Sequence, residues 1–72
     1  MKKGDRVWFV DGSAGKDGGM HWYAEYGTLM KSRRDGACLV NSYFGDFWTL
    51  KQYLFETKED CEKQLFDNSH KK

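Results

Sequence analysis

Proline is absent from the 72-residue chain, so every tight turn has to be built on its eight glycines and their neighbours. Cysteine is scarce: Cys38 and Cys61 lie 23 positions apart, and a single bridge is arithmetically possible. The N-terminus, Met1-Lys2-Lys3-Gly4-Asp5, carries no apolar secretory stretch. The expectation is therefore two free thiols in a reducing cytoplasm. Apolar runs are only a few residues long, too short to span a membrane. An excess of one charge is missing as well: twelve Lys and Arg face eleven Asp and Glu. That balance excludes a polycation that coats nucleic acid by bulk charge. Length is the last scarcity. A single domain of this size has a radius of gyration of roughly 11 Å and buries about 60% of its unfolded surface. Its core is one small cluster, which argues against a deep walled cleft and against most cofactor enzymes.

Aromatic residues are abundant: three Trp, four Tyr and five Phe. Each buries about 150–250 Å² when covered, enough for a short chain to fold without staples. With 39% hydrophobic and 32% charged residues, the composition is that of a folded domain.

Periodicity gives the element order. A first strand is expected over Asp5 to Val10, with Val7 and Phe9 on one face. Residues 11–21 hold four glycines and no alternation, and read as a long mobile loop. A long second strand runs from Trp22 to Lys31 or Ser32. Leu29 falls on the opposite parity to Trp22 and Tyr26, so a bulge at Gly27 is expected to turn both Tyr26 and Leu29 inward. Arg33-Arg34-Asp35-Gly36 is a hairpin turn, Ala37 to Ser42 a third strand, Tyr43 to Asp46 a turn, and Phe47 to Leu50 a short fourth strand. Thr57 and Asp60 form a weak capping box for a helix from Lys58 to about Asp67, its stripe being Cys61, Leu65 and Phe66. Residues 68–72 are expected to be a flexible tail after a single domain of residues 1–67. Val7, Phe9, Leu29, Cys38, Val40 and Leu65 form the expected core.

Gly4-Asp5-Arg6-Val7-Trp8-Phe9-Val10, Tyr26-Gly27-Thr28-Leu29 and Ala37-Cys38-Leu39-Val40 together resemble the opening of a small SH3-like barrel of the KOW or Tudor kind. The closing stretch from Leu54 to Leu65 resembles the "leu-phe-x-thr-lys-glu-glu-ala" tail of small bacterial and phage proteins, with Cys61 where that pattern has Ala. The resemblance implies a mainly β fold, an SH3-like barrel of about five strands, closed by a short C-terminal α-helix. It implies no activity. The tail suggests a phage or mobile-element protein acting on a host protein, for example as an inhibitor of a host nuclease or defence complex. The Ala-Leu-Tyr-Asp-Tyr signature of proline-peptide binders does not occur.

Candidate chemistry is sparse. Gly12-Ser13-Ala14-Gly15-Lys16-Asp17 has two residues, not four, between its glycines and no Ser or Thr after its lysine, so it fails as a phosphate loop. It fails as a calcium loop because Lys16 and Trp22 stand where the turn glycine and the bidentate glutamate belong. His21, Cys38, Cys61 and His70 are not paired at metal-ligand spacing, so no metal or other cofactor is expected. Cys38, expected inside a strand, has no visible activating base. The acids around the helix start, Glu56, Glu59, Asp60 and Glu62, alternate with Lys58 and Lys63 as on a solvated face.

Two features remain. Lys31, Arg33 and Arg34 gather at a hairpin tip, and small nucleic-acid-binding barrels combine such cations with stacking rings. The rings outnumber the inside positions, so some must be exposed; parity and turn position select Trp8, Tyr23, Tyr43 and Phe44, with Trp22 at the loop edge. Trp, Tyr and Arg are also the anchors of protein interfaces. The sequence thus points to a non-enzymatic protein-interaction module using Trp8, Trp22, Tyr23, Tyr43 and Phe44, with nucleic-acid binding through Lys31, Arg33, Arg34 and the nearby aromatics as the alternative.

Overall fold

A computed structural model describes the chain over residues 1–70, with side chains to Leu65. It is mainly β. Four antiparallel strands, β1 (Arg6–Ala14), β2 (Met20–Ser32), β3 (Ala37–Ser42) and β4 (Gly45–Leu50), lie in sequential order in one sheet. One turn of 3-10 helix, Lys51–Tyr53, follows β4, and the helix α1 (Lys58–His70) ends the described chain. No described helix is long and apolar enough to cross a membrane.

The core is the one that alternation selects. Val7, Phe9, Leu29, Cys38 and Val40 are buried, joined by Leu54, with Met1 and Phe47 packed against them. Cys61 of α1 is also fully buried, the helix lying against β1 and β2. Leu65, expected in the core, is half-buried, and Phe66 lies outside the described side chains. Thr57 caps the helix: its Oγ1 accepts the Asp60 N–H at 3.2 Å, the first of the two bonds of a capping box. The helix runs on to His70, past the expected end at Asp67. Residues 71 and 72 of the expected tail lie outside the described residues.

The first hairpin corrects the expected loop. Residues 11–14 and 20–21 are strand, and β1 and β2 stay in register from Arg6↔Thr28 to Ala14↔Met20. Only Gly15–Gly19 turns, with the Gly15 N–H donating to the Gly19 carbonyl at 2.7 Å and Gly18 at φ +84°. Glycine was misread there as a sign of mobility. Gly12 sits directly opposite Trp22, whose ring covers it so closely that a Cβ would come within 2.7 Å of ring carbons. The missing side chain is what lets the ring lie flat on the strand. This ribbon projects from the sheet and explains a radius of gyration of 12.9 Å, above that of a compact chain of this length, and a longest dimension of 38 Å.

The bulge is not at Gly27. Strand register shifts between Leu29 and Lys31, which makes Met30 the extra residue. Gly27 and Leu29 therefore share the buried face by plain alternation, and Tyr26 points outward, 49% exposed. Gly27 is glycine because a Cβ there would run into the Asn41 carbonyl and Val40 of β3. After the bulge the parity switches, so Ser32 pairs with buried Cys38. The later turns follow the glycine chemistry read from the sequence. Gly36 (φ +94°) closes the Arg33–Gly36 turn and Gly45 (φ +123°) follows Tyr43-Phe44. β4 consequently starts at Gly45, two residues before its expected first residue, Phe47.

Candidate functional site

The ribbon sorts the exposed rings onto two faces. On one, even-numbered residues of both strands line up: Trp8 and Arg6 of β1 with Met20, Trp22 and Tyr26 of β2. Trp8 and Tyr26 are directly opposed, their ring centroids 5.3 Å apart. The Arg6 guanidinium lies 4.7 Å from the centre of the Tyr26 ring, a cation–π contact that holds both side chains in place. Trp22 and Met20, 59% and 54% exposed, meet above Gly12. Trp8 is half-buried, and its backbone is bridged on the far side by Phe55, each N–H donating to the other's carbonyl at 2.8 Å.

Tyr23 lies on the opposite face, while Tyr43 and Phe44 form the β3–β4 turn, where Tyr43 lines a groove with Arg6, Glu25 and Tyr26. The Tyr23 hydroxyl donates to Asp11 Oδ2 at 3.3 Å. Partial desolvation, then the Asp11 carboxylate, raise the phenol above its ordinary value of 10.0. Phe44 stacks on Phe47 at 6.4 Å, and Phe47 meets Phe9 edge-on at 5.0 Å. A chain of rings thus links the core to the β3–β4 turn, where Tyr43 stands 90% exposed.

The basic residues lie elsewhere. Lys31, Arg33 and Arg34 are exposed at the β2–β3 end, and Arg33 is engaged by Asp35 at 3.6 Å. Lys31 is nine residues from Trp22 along β2, about 30 Å at roughly 3.3 Å per residue. The structure puts Trp8 and Trp22 on one face, Tyr23 on the other and Tyr43 and Phe44 at the β3–β4 turn, and joins none of them to the basic tip. Sequence reasoning did not place Arg6, Met20 and Tyr26 on this face. The signal was there: alternation from Met20 to Leu29 puts Met20 and Tyr26 on the Trp22 face, and alternation along β1 puts Arg6 beside Trp8.

Groups with reactive chemistry are dispersed. Cys38 and Cys61 are buried thiols. Burial, then Glu62, pushes the Cys61 thiol above its ordinary value, away from the thiolate a nucleophile or metal ligand needs. Asp17 accepts the Gly19 N–H at 3.0 Å and meets His21 Nε2 at 3.3 Å. Those two bonds, the Gly19 amide first, lower its pKa and pin the ribbon turn. Among the described residues no three His, Cys, Asp or Glu side chains converge to hold an ion; the side chain of His70 lies outside them.

No family model, curated protein or solved structure matches this chain. The functional reading therefore rests on the surface itself.

Proposed function

We propose that the chain is a small non-enzymatic protein-interaction module whose binding surface is the Trp8–Trp22–Tyr26 face of the ribbon, with Arg6 and Met20. We also propose that its scaffold is an SH3-like barrel whose fifth strand is reduced to one bridge. The connectivity supports the scaffold: β1 is flanked by β2 on one side and by Phe55 on the other, and a single 3-10 turn separates β4 from Phe55.

The observation that carries the function is the rigid exposure of large rings beside an arginine. Trp, Tyr, Met and Arg are the residue types concentrated at the centres of protein interfaces. Here they sit on paired strands, so little side-chain and backbone freedom is left to lose on binding. The nucleic-acid alternative read from the sequence needs the Lys31, Arg33 and Arg34 cations beside the stacking rings. The Lys31–Arg34 tip stands at the far end of β2 from Trp22, which favours the protein partner.

The test is a titration against random single-stranded DNA at physiological salt, run beside affinity capture from nuclease-treated lysate of the source cells. The proposal expects no micromolar DNA affinity and a captured protein that Trp22→Ala releases. Micromolar DNA binding lost on replacing Arg33 and Arg34 would reverse it in favour of the alternative.

A further inference from the structure

The bulge in β2 turns Lys31 outward. Ser32 pairs with buried Cys38 and so faces the core, which leaves Lys31 on the outer face of the sheet. Met30 and Lys31 together oppose Leu39, as the two residues of a bulge oppose one. Trp48 is the partner of Leu39 on β4. Cation, leucine and tryptophan thus form one row across three strands, about 10 Å wide at roughly 4.8 Å between strands. The next row is built alike: the Arg33 N–H donates to the Ala37 carbonyl at 2.8 Å, and Ala37 pairs with Leu50. Trp48, Leu50 and Met30 are 52%, 42% and 37% exposed. Arg34 stands in the turn at the same end, and the Lys51 N–H donates to the Gly36 carbonyl of that turn. Two acids border the face. Asp35 engages Arg33 at 3.6 Å, and Asp46, near the start of β4, accepts from Asn41 Nδ2 at 2.5 Å. The face is convex: Phe9 of β1 meets Phe47 of β4 across the core, so the sheet curls and the outer side of β4 turns away from that of β1. The helix lies against β1 and β2.

We infer that this outer face of β3 and β4 docks on an anionic lipid surface, with Trp48, Leu50 and Met30 entering the headgroup region and Lys31, Arg34 and Lys51 meeting the anionic headgroups. This goes beyond the proposed function and does not rest on it. Charge complementarity selects an anionic partner. Lys31, Arg33, Arg34 and Lys51 outnumber Asp35 and Asp46, and both carboxylates already have partners. The apolar residues then select lipid among anionic partners. A single-stranded nucleic acid stacks on successive rings. Here one ring stands among aliphatic side chains, which offer no face to stack on. An acidic protein would anchor its side chains in pockets, and this face curves outward. A lipid surface needs neither feature. Tryptophan settles at headgroup level with leucine and methionine beside it, while lysine and arginine lay their stems along the apolar surface and keep their charges in water.

Co-sedimentation of the full chain with vesicles tests this. Vesicles of phosphatidylcholine mixed with phosphatidylserine should pull the protein down at low salt, less so as salt rises, and phosphatidylcholine alone should not. A cation close to such a surface is worth about fivefold in partitioning, so Lys31→Ala combined with Arg34→Ala should lose roughly 25-fold. Binding should blue-shift the tryptophan fluorescence. Trp48→Tyr should lose that shift at saturating lipid while melting close to wild type, since the replaced side chain is exposed. Equal binding to neutral vesicles, no binding to anionic ones, or an unchanged shift in Trp48→Tyr would overturn the inference. So would binding of random single-stranded DNA or of soluble polyglutamate as strong as that of the anionic vesicles, which would assign the face to a nucleic acid or to an acidic protein.

Discussion

Replacing Leu29 and Met30 separately by alanine probes where the long strand breaks its alternation. Leu29 is 1% exposed at the centre of the core, between Val7, Val40 and Cys38 in the buried cluster. Met30, the next residue, is the bulged position and is 37% exposed. Truncating a fully buried leucine costs the transfer free energy of the lost methyl groups plus a cavity term, about 2–5 kcal/mol in all. Domains hold roughly 0.05–0.15 kcal/mol per residue, which for this length is about 4–11 kcal/mol. Leu29→Ala should thus remove a large share of total stability, whereas Met30→Ala should cost about 0.5 kcal/mol or less. Urea denaturation followed by far-ultraviolet circular dichroism reads both, as a drop in midpoint at unchanged slope. Equal costs at the two positions, or the larger cost at Met30, would refute the bulge after Leu29 and with it the register of β2 on β3.

Gly27→Ala should cost about 1–3 kcal/mol by thermal melting, because its methyl group would meet the Asn41 carbonyl and Val40 with no room to relax. Thr57→Ala removes the bond to the Asp60 N–H and should cost about 0.5–2 kcal/mol in the same assay. The Cys61 thiol has a raised pKa, so folding favours its protonated form: this contribution to stability is intact below the ordinary thiol value of 9.0 and is lost as pH rises from there towards the raised one. Cys61→Ala should flatten that alkaline loss, measured as urea midpoint against pH. Gly12→Val should lift the Trp22 ring into solvent and red-shift its fluorescence relative to wild type, while a chain that keeps the wild-type spectrum would mean that Trp22 does not lie on Gly12.

The inside of this molecule was legible because its signals are local. Alternation at Val7 and Phe9, Asp35-Gly36 at a turn needing positive φ, and Thr57 ahead of an acidic first turn each act over a few residues. The ribbon was not legible, because what holds residues 11–14 against 20–23 is pairing between strands. Gly12 carries no pattern of its own; its meaning depends on Trp22 lying opposite. The same holds for Gly27, whose neighbour is the Asn41 carbonyl of another strand. Reading Gly27 as a break moved Tyr26 inside and hid the continuous even-numbered face. Of the candidate surface only Trp8 and Trp22 were singled out, and not as an arrangement, since the distance between Trp22 and the Lys31–Arg34 tip depends on the long course of β2.

Affinity capture with three chains compares the two surfaces directly: wild type, Trp22→Ala, and the triple replacement of Lys31, Arg33 and Arg34 by alanine. Each is first shown by melting temperature to be folded, and each is quantified for the same captured protein. Both replaced sites are exposed, so the fold should hold in all three. The account predicts that Trp22→Ala loses about 2 kcal/mol or more of binding, some thirtyfold in affinity, as an aromatic anchor does. The triple variant should retain the partner within a few-fold. Retention by Trp22→Ala together with loss in the triple variant would contradict it and move the binding surface to the basic end of β2.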